Sequence, residues 1–216
     1  MYLLCIYKMP FTFIVYFSIA IIMNYLAHAY LSFNKPEILV GNLISDFVKG
    51  KKKFDYSISI QKGIFLHREI DNYTDFHPAT REAKEIFRPH YRLYAGAFTD
   101  VVFDHFLATD KNEFTAETLL AFSQTTYKLV EPFISQLPEK FQKMFPYMRQ
   151  QNWLNNYQYA WGIGHSLEGV VRRSAYLTES ATAFRLFEQN YKHLQTCYNQ
   201  FFPELKKFVT DRLVIL

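Results

Sequence analysis

Apolar residues recur at helical spacing along most of the chain, and this pattern predicts an all-α fold. In the stretch 24–33 the apolar side chains repeat every three or four residues, which is the period of one buried helix face. Further helices are predicted for residues 37–50, 56–76, 78–88, 91–109, 115–137, 139–150, 151–160, 166–178 and 180–208. Residues that end or begin helices separate several of these segments, namely Pro36, Pro78, Pro89, Pro138, Gly162 and Gly164, while Pro146 and Pro203 fall inside predicted helices.

Composition supports a single domain. The chain has 216 residues, half of them hydrophobic, which is enough for one substantial core. Its 7 glycines and 8 prolines are too few for the frequent tight turns of an all-β fold. Because no repeat, linker or low-complexity tract interrupts the helical pattern, residues 23–216 are predicted to form one compact multi-helix domain.

Residues 1–22 form an apolar N-terminal extension in which Lys8 is the only charge. Its unbroken apolar run is about 14 residues long, whereas a membrane span needs about 20. No small-residue cleavage site of a signal peptide stands out before Asn24. Three interpretations stay open: an upstream extension of a chain that starts at Met23, a signal or anchor segment, or an additional packed helix.

The net charge and the two cysteines indicate what kind of partner the protein binds and which cellular compartment it occupies. The net charge of +4 gives no reason to expect nucleic acid, but it suits an anionic ligand or an acidic protein. Cys5 and Cys197 lie far apart in unrelated contexts, as free thiols of a reducing compartment do. A cytoplasmic protein is therefore expected, with a membrane location unlikely unless residues 1–22 are retained as an anchor.

A line of ionisable side chains on the helix predicted for residues 56–76 indicates a metal. His67, Asp71 and Asp75 stand at i, i+4 and i+8 on one face. Like charges four residues apart repel, whereas a divalent cation would use both imidazole and carboxylate as ligands. The whole line spans about 12 Å, too long for one ion to contact both ends. His67 and Asp71 are therefore the predicted metal pair.

Other candidate ligands lie on neighbouring helices in the first half of the chain. Asp46 is predicted near a helix C-terminus, where the helix dipole disfavours an anion. Asp100 and Asp104 stand four residues apart on an otherwise apolar helix, next to His105, and His28 lies within the first helix. Helices that converge could gather several of these groups around one or two divalent ions, which activate water and polarise phosphoryl oxygens.

Spacing alone leaves two classes of function open. Arg68 could hold a phosphate oxygen beside a metal in the geometry that guanidinium favours, as a metal-dependent hydrolase requires. A salt-bridge network joining Asp71 or Asp75 to Arg68 or Arg81 would instead suit a non-catalytic helical binding protein. The chain has no Gly-rich phosphate loop, no Gly-x-Ser-x-Gly motif and no paired Glu-x-x-His motif, which argues against P-loop, acyl-transfer and di-iron chemistry.

Four ordered blocks together resemble the acyl-carrier-protein phosphodiesterase family. They are MNYLAH at residues 23–28, GNLISDFVKG at 41–50, GIFLHREIDNYTD at 63–75 and DVVFDHFL at 100–107. The resemblance covers nearly the whole chain from Met23 and is looser after residue 110. It implies an all-helical fold distantly similar to HD-type metal-dependent phosphohydrolases, with manganese as the usual metal.

The resemblance also implies a reaction and roles for the candidates. The family hydrolyses the 4′-phosphopantetheine arm from holo-acyl carrier protein, giving apo-carrier and 4′-phosphopantetheine. Water activated at the metal is expected to attack in line while Arg68 holds the phosphodiester. His28 and His105 are expected to support the metal ligands or to transfer protons, His105 to the departing serine alkoxide. The expected metal ligands are Asp46, His67, Asp71, Asp104 and, next, Asp100.

The partner implied by the resemblance is acidic, and a basic run is placed to meet it. Residues 49–53 (KGKKK) follow Asp46 by about one turn, and Arg172 and Arg173 could add to this basic rim. A solvated loop is the alternative for the lysines. Two alternatives stay open for the whole protein: a phosphohydrolase of nucleotides or small phosphate esters, and a non-catalytic protein that binds an acidic partner.

Overall fold

The computed structural model describes residues 25–216, and the regular secondary structure of this part of the chain is all helical, with no strand. Short 3-10 turns connect several of the helices, at Ser45–Phe47, Gly50–Asp55, Arg92–Tyr94 and Glu131–Gln136. The all-α prediction is confirmed, while the predicted extension, residues 1–22, lies outside the described residues. The α-helices are α1 (Tyr25–Tyr30), α2 (Pro36–Ile44), α3 (Ile58–Phe76), α4 (Pro78–Tyr91), α5 (Ala95–Thr109), α6 (Ala116–Val130), α7 (Glu139–Gln150), α8 (Trp153–Asn156), α9 (Ala160–Arg173), α10 (Ala181–Gln189) and α11 (Tyr191–Ile215).

Several predicted helix ends were wrong. Helix α2 stops at Ile44, so Asp46 lies in the following 3-10 turn rather than in the α-helix. Helix α4 continues past Pro89 to Tyr91, which is buried and whose hydroxyl donates to Glu179 Oε1 and accepts from the Ala183 N–H. The free energy of those contacts offsets the loss of the one backbone hydrogen bond that Pro89 removes from the helix. The predicted helix 180–208 is divided at Asn190, and α11 continues through Pro203.

In the second half of the chain the predicted helix 139–150 is confirmed as α7, but three other predictions were wrong in their bounds. The predicted helix 115–137 ends at Val130 and continues as a 3-10 turn. The predicted helix 151–160 contracts to the four residues of α8, and the next helix covers 160–173 rather than 166–178. Pro132 marks the boundary after Val130, whereas periodicity alone misplaces the ends of the two later helices.

Helices α2 and α3 touch backbone to backbone at a pair of glycines. A Cβ built on Gly41 would lie 2.1 Å from Ile60 O, and one on Gly63 would lie 2.3 Å from Ile38 O. Both distances are far below any real carbon–oxygen contact, so this approach requires glycine on both helices. The contact brings the end of α2 beside the middle of α3, where the sequence predicted metal-binding residues.

One hydrophobic core spans the described helices, and its interior is rich in aromatic side chains. Phe87, Phe98, Phe106 and Phe141 are fully buried, and Tyr198 stacks on Phe202 with ring centroids 5.2 Å apart. This continuity from α1 to α11 agrees with a single domain for residues 25–216. Along this part of the chain, no helix combines the length and apolar character needed to cross a bilayer.

Candidate metal centre

Three side chains from α1 and α3 converge on one point. Asp71 Oδ1 lies 3.3 Å from His28 Nε2, and Asp71 Oδ2 lies 3.1 Å from His67 Nε2. The two imidazole rings stack with centroids 4.1 Å apart. One donor atom from each of these three residues lies within 4.8 Å of the others. We call this group the His28–His67–Asp71 cluster.

The tautomer of His28 is set by its neighbours. Asn42 Nδ2 donates to His28 O at 2.9 Å and to Ser32 Oγ at 3.1 Å, so Asn42 Oδ1 faces His28 Nδ1 at 2.7 Å. That oxygen can only accept, and Nδ1 must therefore carry the proton. Burial, reinforced by the charge of His67, lowers the pKa of His28. The neutral ring then directs the lone pair of Nε2 at the cluster, as in a metal-binding histidine whose other nitrogen donates to an oxygen.

His67 and Asp71 form a charged pair when no metal is present. Burial lowers the pKa of His67, but contacts with the carboxylates of Asp46 and Asp71 outweigh it and raise the pKa to about 9. Burial raises the pKa of Asp71, yet the protonated His67 ring, whose Nε2 lies 3.1 Å away, outweighs it and holds that pKa below its usual range. The cluster therefore presents a carboxylate that stays ionised at any pH at which the protein is used.

The donor set fits a divalent cation. His28 Nε2 and both ring nitrogens of His67 are buried and have no hydrogen-bond partner of good geometry within residues 25–216. A lone pair of His28 facing an ionised carboxylate is unfavourable unless a cation lies between them. Two imidazole nitrogens with a carboxylate are ligands suited to manganese, iron or zinc. His28 and Asp71, whose close approach is unfavourable without a cation, are thus residues that would bind one.

Asp46 and Arg68 lie beside the cluster. Asp46 Oδ1 is 3.5 Å from His67 Nε2, so this largely buried carboxylate approaches the same nitrogen as Asp71. Arg68 is exposed and one of its N–H groups donates to Val48 O at 3.5 Å, within the turn that follows Asp46. The remaining guanidinium donors are available to an anion next to the cluster.

The structure gives Asp104 a different environment from the cluster. Its two carboxylate oxygens accept hydrogen bonds from the Leu26 and Ala27 N–H groups at 3.0 and 2.9 Å. These are free N–H groups of the first turn of α1, so Asp104 stabilises the helix that carries His28. Burial raises the pKa of Asp104 to about 7 although both backbone hydrogen bonds lower it. Its position is that of a support for α1 rather than of a metal ligand.

The remaining predicted residues also lie outside the cluster. The Asp75 carboxylate pairs with Lys84 of α4 at 2.5 Å, whereas Arg81 donates only to the Asp75 backbone carbonyl at 3.4 Å. Asp100 is half-buried on α5, and burial, reinforced by the charges of Asp71 and Asp75, raises its pKa well above the usual range. The structure does not bring either residue into the group that includes His28.

His105 is held by two hydrogen bonds in the core. Its Nδ1 lies 2.8 Å from Tyr157 O, to which it donates, and its Nε2 accepts from the Tyr191 hydroxyl at 3.0 Å. With both nitrogens engaged, the ring has no free position for proton transfer to a substrate. The predicted role of His105 therefore receives no support from its surroundings.

Sequence reasoning missed Asn42, which orients His28. The only signal was its position in the GNLISD block, next to a glycine that admits close helix packing. A second group of possible ligands, Glu82, His193 and Cys197, joins α4 to α11. It contains a thiol, which suits zinc rather than manganese, and its glutamate already pairs with His193 at 3.2 Å. The His28–His67–Asp71 cluster is the better match to a hard metal.

Metal binding at the cluster should release a proton. Because the pKa of His67 is about 9 in the metal-free protein, this ring is protonated at neutral pH and must lose its proton to become a ligand. His28 is neutral and Asp71 ionised, so about one proton should be released at pH 7.5. Below pH 9 the affinity for Mn²⁺ should fall by up to about tenfold per pH unit. Calorimetric titrations in buffers of different ionisation enthalpy measure this release, and an affinity independent of pH between 6 and 8 would contradict it.

Comparison with known proteins places the chain beside carrier-protein phosphodiesterases. A family model described as acyl carrier protein phosphodiesterase matches residues 23–205. The acyl carrier protein phosphodiesterase of Photorhabdus laumondii is 35% identical over 182 residues, covering 84% of this chain and 92% of the relative. The enzymes of that name from Serratia proteamaculans and Yersinia pestis are 34% and 33% identical, covering 88% and 86% of this chain and 99% and 96% of the relatives. No solved structure matches, so the expected similarity to HD-type phosphohydrolases stays a prediction.

Proposed function

The chain belongs to the acyl carrier protein phosphodiesterase family, and from this premise we propose that it hydrolyses holo-acyl carrier protein in a metal-dependent reaction. The products are apo-carrier and 4′-phosphopantetheine, and the bond broken is the phosphodiester link to the serine of the carrier. The observation that supports the metal dependence is the convergence of His28, His67 and Asp71, whose donor atoms lie within 4.8 Å of one another and whose imidazole nitrogens there are buried.

Each residue near the cluster has a role in this reaction. His28, His67 and Asp71 would hold the divalent ion, and Asp46, whose Oδ1 lies 3.5 Å from His67 Nε2, would add a further carboxylate to the donor set. Mn²⁺ is the expected ion because imidazole and carboxylate ligands suit it, and it supplies Lewis-acid activation of water and of the phosphoryl group. Arg68 donates to a non-bridging phosphate oxygen and so orients the phosphodiester for attack in line with the serine oxygen.

A basic and apolar surface beside the cluster supports an acidic protein as the substrate. Lys49, Lys51 and Lys52 are exposed and form no ion pair within the described residues. Next to them Phe54, Ile58 and Phe65 are 63%, 67% and 49% exposed. Ile58 and Phe65 are two turns apart on one side of α3, and Arg68 follows one turn later. Apolar residues surrounded by cations are suited to an amphipathic, acidic helix.

Reversing two of these charges should weaken the interaction with the carrier. The double variant Lys51→Glu with Lys52→Glu should raise KM for holo-carrier by roughly tenfold or more and reduce its dependence on salt. Hydrolysis of bis(4-nitrophenyl) phosphate, which needs no docking, should not change. The matched control is Lys111→Glu with Lys128→Glu, which makes the same charge change at exposed positions outside the basic run. Equal KM values for the two double variants would contradict the docking surface.

The proposed activity is tested by incubating metal-stripped protein with holo-carrier and following carrier mass. Cleavage should require added Mn²⁺, stop with a chelator, and yield apo-carrier with free 4′-phosphopantetheine. Nucleotides and small phosphate monoesters should be poor substrates under the same conditions. Preferential hydrolysis of a nucleotide would favour the alternative phosphohydrolase, and metal-independent cleavage would overturn the metal-dependent reaction.

A further inference from the structure

A second feature, separate from the metal cluster, is a cavity of about 540 Å³ between α1, α5, α8 and α9. Its floor is made of buried side chains, Tyr25, Val101 and Tyr157, and its walls include both tryptophans of the chain, Trp153 and Trp161. A pocket of this volume, with an apolar floor and polar groups at defined places, is typical of a small-molecule site. Neither the cluster nor the basic surface uses these residues.

The cavity and the cluster lie on opposite ends of the same short helix. Tyr25 lines the cavity and precedes His28 by three residues of α1, a rise of about 4.5 Å along the helix axis. Burial raises the pKa of Tyr25, and the charges of Arg173 on the cavity and Asp46 beside the cluster act on it with opposite signs. Both charged side chains therefore lie close to Tyr25, which connects the lining of the cavity to the helix that carries His28.

The charges of the cavity select against highly charged ligands. Arg172 pairs with Glu168 at 3.4 Å, whereas Arg173 has no ion pair within the described residues. The Arg173 guanidinium folds over Gly169, where a Cβ would lie 3.3 Å from Nη1. A single unpaired cation next to a glutamate would attract the several negative charges of a nucleoside diphosphate only weakly. The donors suit carbonyl and hydroxyl oxygens of a neutral chain.

We propose that this cavity binds the pantetheine arm of the carrier while its phosphodiester lies at the cluster. The arm is a neutral chain with two amides, a hydroxyl and a branched dimethyl group, which match the amide and hydroxyl side chains of Gln151, Asn156 and Ser166 and the indole faces of Trp153 and Trp161. This inference rests on the proposed function and adds a binding site for the arm. Binding energy from this remote chain would orient the phosphodiester for attack.

The two tryptophans allow a direct test of binding that does not depend on catalysis. Adding pantetheine, which lacks the phosphate, to the full-length protein should change tryptophan fluorescence in a saturable way below about 1 mM. Trp161→Ala should weaken this binding, as should Arg173→Gln, whereas Tyr147→Ala removes an exposed aromatic side chain outside the lining and should not. A fluorescence change with ADP and none with pantetheine would overturn the inference in favour of a nucleotide site.

Kinetics separates failure of this inference from failure of the proposed function. Trp161→Ala should raise KM for holo-carrier by roughly tenfold, the usual effect of losing one aromatic anchor, and leave hydrolysis of bis(4-nitrophenyl) phosphate unchanged. If wild-type protein cleaves the carrier but both KM and pantetheine binding are the same in Trp161→Ala, the cavity is not the arm site. If wild-type protein cleaves no carrier at all, the proposed function fails, and the fluorescence titration still decides whether the cavity binds the arm.

Discussion

Asp71→Asn should reduce cleavage of holo-carrier by at least about 100-fold and weaken Mn²⁺ binding to a similar degree. Asp71 is the residue that contacts both histidines of the cluster, at 3.3 and 3.1 Å. The amide keeps the shape of the side chain but loses the negative charge that a divalent ion needs. Substitutions one shell further from a metal already cost about 10–100-fold, so the loss of a ligand should cost more. Steady-state rates at saturating Mn²⁺, with the affinity measured by calorimetry, check both effects.

The matched control is Asp75→Asn, one turn further along the same helix. Asp75 pairs with Lys84 at 2.5 Å and has no contact with His28 or His67. Because the Asp75 side chain is largely exposed, its ion pair contributes little to stability. Activity and metal affinity should stay within about twofold of wild type. Equal losses of activity and Mn²⁺ affinity in the two variants would show that any negative charge on this face of α3 matters, and would contradict a specific role of the cluster.

Gly63→Ala should destabilise the protein by about 3 kcal/mol or more and lower activity through the fold. The new methyl group would lie 2.3 Å from Ile38 O and 2.9 Å from Gly41 Cα, both backbone atoms that cannot move aside alone. Helices α2 and α3 must therefore separate, which costs more than ordinary overpacking. Separation also moves Asn42 away from the helix that bears His67. Urea unfolding at fixed metal concentration measures the loss.

A matched glycine distinguishes this contact from the general effect of alanine in helices. Gly164 lies inside α9, where a Cβ would meet its nearest neighbour, the Phe184 ring, at 4.0 Å. Gly164→Ala should therefore increase stability by about 0.5–1 kcal/mol, the usual gain in a helix interior. A small effect of Gly63→Ala, close to that of Gly164→Ala, would contradict the close approach of α2 and α3.

Periodicity was sufficient to predict the fold class, because helices with one apolar face leave a strong repeating signal. The ends of helices were less predictable. Pro89 was expected to break a helix, but buried side chains around it, such as Tyr91, hold the chain in a helix. The division at Asn190 has no proline or glycine to mark it. Tertiary packing determines where these helices end, and packing between distant segments cannot be read from the pattern of one sequence.

The candidate site was predictable where its residues share one helix. His67 and Asp71 stand four residues apart on α3, so their proximity follows from helix geometry. The other components depend on how helices pack. His28 joins them because α1 is held by Asp104, a residue that sequence spacing assigned to the metal. Asn42 contributes because two glycines bring α2 against α3. Residue spacing along the chain does not show which helices pack together, so it could not predict that His28 and Asn42 lie beside His67.

The most direct test of the cluster is pulsed electron paramagnetic resonance of the Mn²⁺-loaded, active protein. We expect nitrogen couplings from two imidazoles, with one lost in His28→Gln and the other in His67→Gln, while His105→Gln retains both. Residual metal binding in each single variant keeps the comparison interpretable. Active protein whose Mn²⁺ spectrum shows no nitrogen coupling, or loses it in His105→Gln and not in His67→Gln, would contradict the His28–His67–Asp71 metal centre.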